Sequence, residues 1–240
     1  MNISIIVQAR MSSSRLPGKV LKNFNGITLL ECVLKQLSYC QTIDNIFVAT
    51  TTEKIDDEIV NKCEELKIPV FRGSQKNVLN RFFECAKIHS IKNIVRITSD
   101  NPLIDPQIVD HVVEEYKKGQ FDYVSNCEER TFPYGTEVEV FSFSSLKHAN
   151  DEAKTDFERE HVTPYIINLK ENKKFCLKNT TDLSHLRWTV DEYNDFIFVK
   201  EIYKRVKREP VLLENILEVI KNEPEILKIY RENKSGEDKL

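Results

Sequence analysis

Three cations, Arg10, Arg15 and Lys19, fall within ten residues in the stretch QARMSSSRLPGK (8–19), directly after the apolar run NISIIV (2–7). A loop that leaves a strand, runs toward a helix start and carries that charge is suited to an anion. Arg10 and Arg15 each offer forked donors to phosphate oxygens, and Lys19 adds a point charge. Hydrogen bonds to charged groups contribute roughly 1.5–3 kcal/mol each, so three of them can hold a triphosphate at millimolar affinity or better. Ser12, Ser13 and Ser14 add hydroxyls on small side chains, and Pro17-Gly18 turns the chain before the helix. The bland alternative is a basic, serine-rich surface turn, which charge alone does not separate from an anion site. Neither GxxxxGK[ST] nor GxGxxG occurs, so the loop is not a P-loop or a dinucleotide fingerprint.

A triphosphate travels with Mg²⁺, which takes one or two carboxylates and completes its octahedron with phosphate oxygens. Asp100 follows the strand-like run NIVRIT (93–98), and Asp191 ends LRWTVD (186–191). Two strand-end aspartates from different halves of the chain suit a metal that bridges nucleotide and acceptor. Each also has a structural reading, Asp100 as a turn cap before Asn101-Pro102 and Asp191 as the N-cap of a helix near Tyr193. In YGTEVEV (134–140), Gly135, Glu137 and Glu139 are candidates to line an acceptor pocket; alternation also allows the two glutamates to be the solvated face of a strand. His161 in EREHVTPY (158–165) is either a contact for an acidic sugar or a helix residue among its Glu and Arg neighbours. Trp188 is read as core.

The elements that must position these groups alternate in the first half. Strand-like ISIIV (3–7), NIFVAT (45–50), PVF (69–71) and NIVRIT (93–98) are separated by helical patterns at 28–37, 54–66 and 78–88. Such alternation predicts an α/β fold with a mostly parallel, Rossmann-like sheet covered by helices on both faces. Ligands of such sheets bind beyond the carboxyl ends of the strands. That places QARMSSSRLPGK, GSQKN (73–77) and SDNPLIDP (99–106) on one rim. FDYVSN (121–126) and TEVEVFSF (136–143) are strand-like, and the mixed segment at about 128–182, with FCLKNT (175–180), reads as an inserted α+β lobe of a single domain spanning 1–240. LRWTVD is expected to return to the sheet as a strand. Helices are expected at about 193–208, 211–221 and 224–232, before a solvated tail, ENKSGEDKL.

A formal net charge of −3 argues against a binder of polymeric nucleic acid. The six cysteines contain no CxxC pair and are read as reduced, mostly buried small hydrophobes. No apolar span reaches the roughly 18 residues of a membrane helix, and the N-terminal run is short for a signal peptide. The expected location is the cytoplasm, away from any membrane.

The string QARMSSSRLPGKVL resembles the opening motif of the cytidylyltransferases that activate acidic sugars, including those acting on 3-deoxy-manno-octulosonate (Kdo) and acylneuraminate. The resemblance is closer to the spore-coat polysaccharide biosynthesis protein F group. It extends through VATT (48–51), VFRGSQKNVLNRF (70–82), VRITSDNPLIDP (95–106), DYVSN (122–126), EVEVFSF (137–143), EREHVTPYI (158–166) and SHLRWTVDEYND (184–195). It implies a nucleotide-diphospho-sugar transferase fold, CTP as donor, Mg²⁺ as cofactor, a small acidic sugar as acceptor and a homodimer formed through the lobe at 128–182. It puts Ala9, Arg10, Ser13, Arg15, Lys19, Arg72, Ser74, Arg81 and Thr98 around the nucleotide. Asp100 and Asp191 fall on the metal-binding aspartates, and Arg10 and Lys19 join them as catalytic groups.

Several positions depart from the pattern. Ser12 and Ser99 stand where glycine is usual, Asn77 and Asn80 where aspartates are usual, and Glu192 where threonine is common. The two serines raise the question of crowding beside a phosphate. The implied reaction is attack of an acceptor hydroxyl on the α-phosphorus of CTP with loss of pyrophosphate. Alternatives are a nucleotidyltransferase with a sugar-phosphate or phosphonate acceptor, and a non-catalytic nucleotide-binding scaffold. A glycosyltransferase fits less well, because a donor sugar needs no cationic loop of this density.

Overall fold

A computed structural model of the protein describes residues 1–24 and 26–231. The β-branched run at the N-terminus forms β1 (Ile3–Gln8), buried along nearly its whole length, as befits a central strand covered on both faces. After a small hairpin, β2 (Asn23–Phe24) and β3 (Ile27–Thr28), Thr28 caps α1 (Leu29–Leu37) in a capping box with Glu31. Then follow β4 (Asn45–Thr51), α2 (Asp57–Glu65), β5 (Val70–Gly73), α3 (Val78–Ile88) and β6 (Asn93–Thr98). Residues 93–98 and 78–88 take up the elements expected of them without a residue's difference. The sequence reading passed over α4 (Pro106–Lys117), although it starts at an Asp-Pro cap and buries Ile108, Val109, Val112, Val113 and Tyr116 at helical spacing.

The second half adds β7 (Tyr123–Ser125), β8 (Glu139–Ser142), α5 (Phe143–Glu152), α6 (Asp156–His161), α7 (Pro164–Asn168) and β9 (Lys174–Cys176). It ends with α8 (Tyr193–Arg205), α9 (Leu213–Asn222) and α10 (Lys228–Arg231). The sheet runs β5-β4-β1-β6-β8-β7-β9. All neighbours pair parallel except β8, which is antiparallel to both β6 and β7. The fold is therefore α/β with a mostly parallel sheet, as expected. The segment 128–182 gives β8 and β9 to this sheet and lays α5 and α6 against α3. β8 is shorter than the alternating run because the Asn126 side chain takes over its backbone pairing, accepting from Val138 N at 2.8 Å and donating to Thr136 O at 2.7 Å.

Alternate residues of β1 feed two cores. Ile3, Ile5 and Val7 pack with α1 and α4, while Ile6 packs with α3 and α5. A third cluster, built on α8, α9 and Trp188, lies beyond the strand ends. It corrects the expectation for LRWTVD. Residues 186–191 are extended but join no sheet; they form one isolated bridge, Tyr134 with Arg187. The alternation of Leu186, Trp188 and Val190 arises because one side of the segment is sealed by α8 and α9, not because it pairs between strands. Trp188, 1 % exposed, is core as expected.

All six cysteines are free, and burial pushes the Cys32, Cys63 and Cys85 thiols up to about 12. Among the described residues no helix is long and apolar enough to cross a membrane. The expected C-terminal tail, ENKSGEDKL, and the last residue of the helix expected to reach 232 lie outside the described residues.

Candidate active site

From β1 the chain steps to β4 and β5 on one side, then returns to β6 on the other, so the strand order reverses between β1 and β6. A ligand crevice opens beyond the carboxyl ends at such a point. The cationic loop leaves β1 there and is folded back by backbone bonds. Gly18 N and Ser13 N both donate to Met11 O at 2.9 Å, and Gly18 takes φ +68°, a conformation natural to glycine. Met11 N donates to Asp56 Oδ1 at 2.7 Å, and the second Asp56 oxygen accepts the Thr51 hydroxyl. Asp56 is 1 % exposed, so a buried carboxylate from the turn before α2 fixes the start of the loop. Nothing in KIDDE set it apart from a helical acidic pattern.

The result is a cavity of about 340 Å³ lined by Ala9, Arg10, Ser13, Ser14, Arg15 and Lys19 on one side. Val78 and Arg81 of α3 face them, with Arg96, Thr98, Ser99 and Asp100 from β6 and the turn that follows it. Arg81 is 2 % exposed, donates to Ser74 O at 2.9 Å and leaves Nε without a partner. Burial, then the nearby Arg10 charge, push its guanidinium down to about 10. A buried cation held beside another cation is a site prepared for an anion.

Two predicted residues are not brought here. Arg72 donates to Thr51 O and Glu53 O at 2.9 and 3.0 Å and pairs with Asp57 at 2.7 Å, so it ties β5 to the turn before α2. Ser74 accepts from Asn77 N at 3.0 Å and lies outside the cavity lining. The unusual serines fit without strain, since neither Ser12 nor Ser99 has positive φ. Ser12 Oγ accepts from Gln75 at 3.1 Å, and Ser99 N donates to Gln8 O at 3.1 Å. Asn77 keeps the cap of α3 by accepting from Asn80 N at 2.9 Å, and Asn80 reaches Asn150 at 3.2 Å.

Asp100 and Asp191, 91 positions apart in sequence, meet on Lys19. Lys19 Nζ donates to Asp100 Oδ2 at 3.0 Å, Asp191 Oδ1 at 3.2 Å and Val190 O at 2.7 Å. Val190 N donates to Asp100 O at 2.8 Å, which pins the extended segment to the turn after β6. Asp195, 6 % exposed, accepts Asp191 N and Glu192 N at 2.8 and 2.9 Å. Arg187 reaches Asp191 Oδ2 at 2.6 Å, and Arg15 reaches Oδ1 at 3.0 Å. Burial alone would raise the Asp191 carboxyl; the Arg187 hydrogen bond and the Lys19 and Arg15 charges outweigh it and hold it below its ordinary value. Two carboxylate oxygens that converge on one ammonium can also face one hard cation. The donor set therefore fits Mg²⁺, which takes few protein carboxylates and prefers phosphate oxygens for the rest.

A second cavity of about 550 Å³ adjoins the first and shares Arg96, Thr98, Asp100, His161 and Asp191 with it. Glu137 and Glu139 line it, and neither is a solvated strand residue. Glu139 is 5 % exposed, pairs with Arg96 and accepts the Tyr123 hydroxyl at 2.7 Å. Glu137 accepts from Arg130 at 2.5 Å, Gly135 N at 3.0 Å and Asn101 at 3.1 Å. Arg130 also lies over the Tyr134 ring, 3.7 Å from its centroid. Gly135 does not line the cavity. It has φ +100°, and a Cβ there would stand 2.6 Å from Thr189 N, so glycine is what lets 134–135 approach 187–189.

His161 ends α6 with its ring 4.4 Å from that of Phe157. Val162 follows with φ 71° and ψ −58°, closing a γ-turn in which Thr163 N donates to His161 O at 2.8 Å. A β-branched residue is strained there, and its complete burial holds it in place. The turn presents both His161 and Thr163 to the cavity. Arg96, Arg130, Tyr134 and Arg187 escaped the sequence reading; an arginine inside the apolar strand NIVRIT was the one signal available.

Comparison with known proteins gives the family. The chain belongs to the cytidylyltransferase family, whose pattern it matches over residues 4–235. It is 40 % identical to an uncharacterized protein of Methanocaldococcus jannaschii, covering 95 % of this chain and 94 % of that one. It is 30 % identical to the spore coat polysaccharide biosynthesis protein SpsF of Bacillus subtilis over 87 % of this chain and 89 % of the other. A 3-deoxy-manno-octulosonate cytidylyltransferase of Fusobacterium nucleatum is 32 % identical over 48 % of this chain and 46 % of its own. A solved cytidylyltransferase from Leptospira borgpetersenii superposes with a TM-score of 0.90 at 35 % identity, covering 94 % of this chain and 96 % of that one.

Proposed function

We propose that the protein is a Mg²⁺-dependent cytidylyltransferase that moves the cytidylyl group of CTP onto a hydroxyl of an acidic, ulosonic-type sugar, for surface or coat polysaccharide synthesis. The observation that carries this reading is the paired cleft: a cation-lined chamber and a chamber of mixed charge share one wall, on which Asp100 and Asp191 stand. Displacement at phosphorus needs nucleophile and leaving group on opposite sides of the reacting atom, and adjoining chambers suit that arrangement. The Kdo-activating relative supports the acidic acceptor, and SpsF supports the polysaccharide context.

In this reading Arg10, Arg15 and Arg81 hold the β- and γ-phosphates in the first chamber. Thr163, His161 and Arg130 orient the acceptor in the second. The acceptor oxygen attacks the α-phosphorus, the bond to the bridging oxygen breaks, and its electron pair leaves on pyrophosphate, while the hydroxyl proton passes to solvent. The arginines then face the charge that develops on the leaving group, where fixed cations do most. Asp100 and Asp191 would hold Mg²⁺, which when bound neutralises phosphate charge.

The test is pyrophosphate release with Mg²⁺ and each of the four ribonucleoside triphosphates against a panel of acidic sugars, beside Asp100→Asn. Release that needs CTP and one acidic sugar, and is lost in Asp100→Asn, is expected. Release with another triphosphate would overturn the cytidylyl assignment, and bound CTP without turnover across the panel would favour a scaffold.

A further inference from the structure

Lys19 is fully engaged by groups of the protein itself. An ammonium has three donors, and all three are used, on Asp100 Oδ2, Asp191 Oδ1 and Val190 O. Its side chain is only 10 % exposed. It cannot bind a phosphate without giving up these bonds, and it fills the point where the two carboxylates converge.

We propose that Lys19 is a resident counter-ion of the Asp100–Asp191 pair, which keeps a divalent cation out of the free protein and is released only when a polyphosphate enters the cation-lined chamber. The inference rests on the cytidylyltransferase reading for the identity of the incoming anion and cation. Charge supports exclusion. Lys19, Arg15 and Arg187 already contact the two aspartates, so three cations face two carboxylates before any metal arrives. The destination of a displaced Lys19 supports the order of events. Lys19 already lines the cation-lined chamber, whose other cations are Arg10, Arg15, Arg81 and Arg96 with Glu160 beside them, so an ammonium freed from the aspartates turns into mostly like charge. A triphosphate in that chamber reverses the sign, giving Lys19 a new partner and supplying the oxygens that Mg²⁺ needs to complete its shell. Nucleotide and metal would thus enter together, and the metal alone would not.

The test uses Mn²⁺, followed by the EPR signal of the free ion, titrated into the full-length protein without nucleotide. Lys19→Gln should bind Mn²⁺ about tenfold more tightly than wild type, because the internal charge is gone while a donor to Val190 O remains. Lys19→Arg, which keeps the charge, should bind as weakly as wild type, and adding Asp100→Asn to Lys19→Gln should abolish the gain. Mn²⁺ should also raise the melting temperature of Lys19→Gln and leave that of wild type unmoved, a contrast that a merely structural lysine would not produce. Equal Mn²⁺ affinity in wild type and Lys19→Gln would overturn the proposal. If Lys19→Gln fails to fold, tight Mn²⁺ binding by nucleotide-free wild type would overturn it just as well. α,β-Methylene CTP should bring the wild-type affinity for Mn²⁺ up, and a wild type that binds the analogue without this gain would overturn the release step. A protein that takes no CTP at all would end the cytidylyl reading, while a Mn²⁺ contrast between the variants would still uphold the counter-ion.

Discussion

The two chambers of the cleft are built in different ways. The cation-lined chamber takes six of its cavity-facing groups from one contiguous loop, residues 9–19, and its arginines at 10 and 81 have no carboxylate closer than 3.9 Å among the described residues. The neighbouring chamber is assembled from segments near 96, 101, 127–139, 157–163 and 187–191, and Arg96, Arg130 and Arg187 each have a carboxylate partner. Of the cations in the first chamber, Arg10 and Arg81 hold charge that no close carboxylate compensates. The second chamber holds charge that is already compensated, and so selects by shape and by a few directed hydrogen bonds. In the proposed reading the first suits phosphate binding, which needs net charge, and the second suits sugar recognition, which needs a fixed frame.

The largest effect follows from breaking that frame. Arg96, in the wall shared by both chambers, is paired with Glu139, and the pair also fixes Gln8 and Tyr123. Removing one member of a buried pair costs about 3–5 kcal/mol, because the other charge is left uncompensated. Arg96→Met should therefore lower the melting temperature by roughly 6–20 °C, taking about 2–4 °C per kcal/mol for a chain of this size. Arg10→Met, on the uncompensated side, should leave the melting temperature nearly unchanged and weaken CTP binding. Equal losses of stability in both variants would erase the distinction between the chambers.

Next comes Gly135→Ala, which places a Cβ 2.6 Å from Thr189 N at a φ of +100°. The clash pushes residues 187–189 away from 134–135 and shifts Arg187 and Asp191 with them. Displacement of about 1 Å in a reacting constellation costs on the order of 10²-fold in rate. Turnover should fall by about that factor while the affinity for CTP, measured by calorimetry, holds. Loss of CTP binding in this variant would mean that the acceptor frame also builds the donor chamber.

These differences decide what could be read from the chain. The cationic loop was legible because its many like charges lie close together, and a contiguous string displays that directly. β6 and α3 were legible because their periods are clean over the whole element. The acceptor frame was not, since Glu139 and Arg96 recognise each other only after β8 pairs with β6 in register, Arg96 opposite Glu139. Asp56 was hidden for a similar reason, its partner Met11 N being a backbone group in a loop 45 residues away. The strand expected at 186–191 failed because period-two burial reports a one-sided contact and does not say whether the other partner is a sheet or a pair of helices. Arg72 does not line the cleft because nearby carbonyls and Asp57 claim its guanidinium.

On the donor side, Asp56→Asn is a milder change. The amide oxygen can still accept from Met11 N, but the bond is no longer charge-assisted, a difference of about 1–1.5 kcal/mol between the two kinds of hydrogen bond. KM for CTP should rise about tenfold with the acceptor KM unchanged, measured as initial rates with each substrate varied in turn. A rise confined to the acceptor would show that Asp56 does not act through the cationic loop.

The smallest effect sharpens the comparison most. Tyr134 is 44 % exposed and lines the second chamber, proposed for the acceptor, and its backbone is held by bonds to Leu186 O and Trp188 N that its side chain does not affect. Its ring lies under the Arg130 guanidinium, a contact that contributes about 0.5–1 kcal/mol at an exposed site. If the ring serves to aim Arg130 at the acceptor, Tyr134→Ala should raise the acceptor KM about two- to fivefold and Tyr134→Phe should leave it alone. Neither variant should change KM for CTP, because the arginines of the donor chamber do not depend on this stack. A Phe variant as impaired as the Ala variant would assign the effect to the hydroxyl and make Tyr134 itself a hydrogen-bonding contact for the acceptor. An equal rise in KM for CTP would mean that the shared wall transmits the change, and the two chambers would have to be treated as one site.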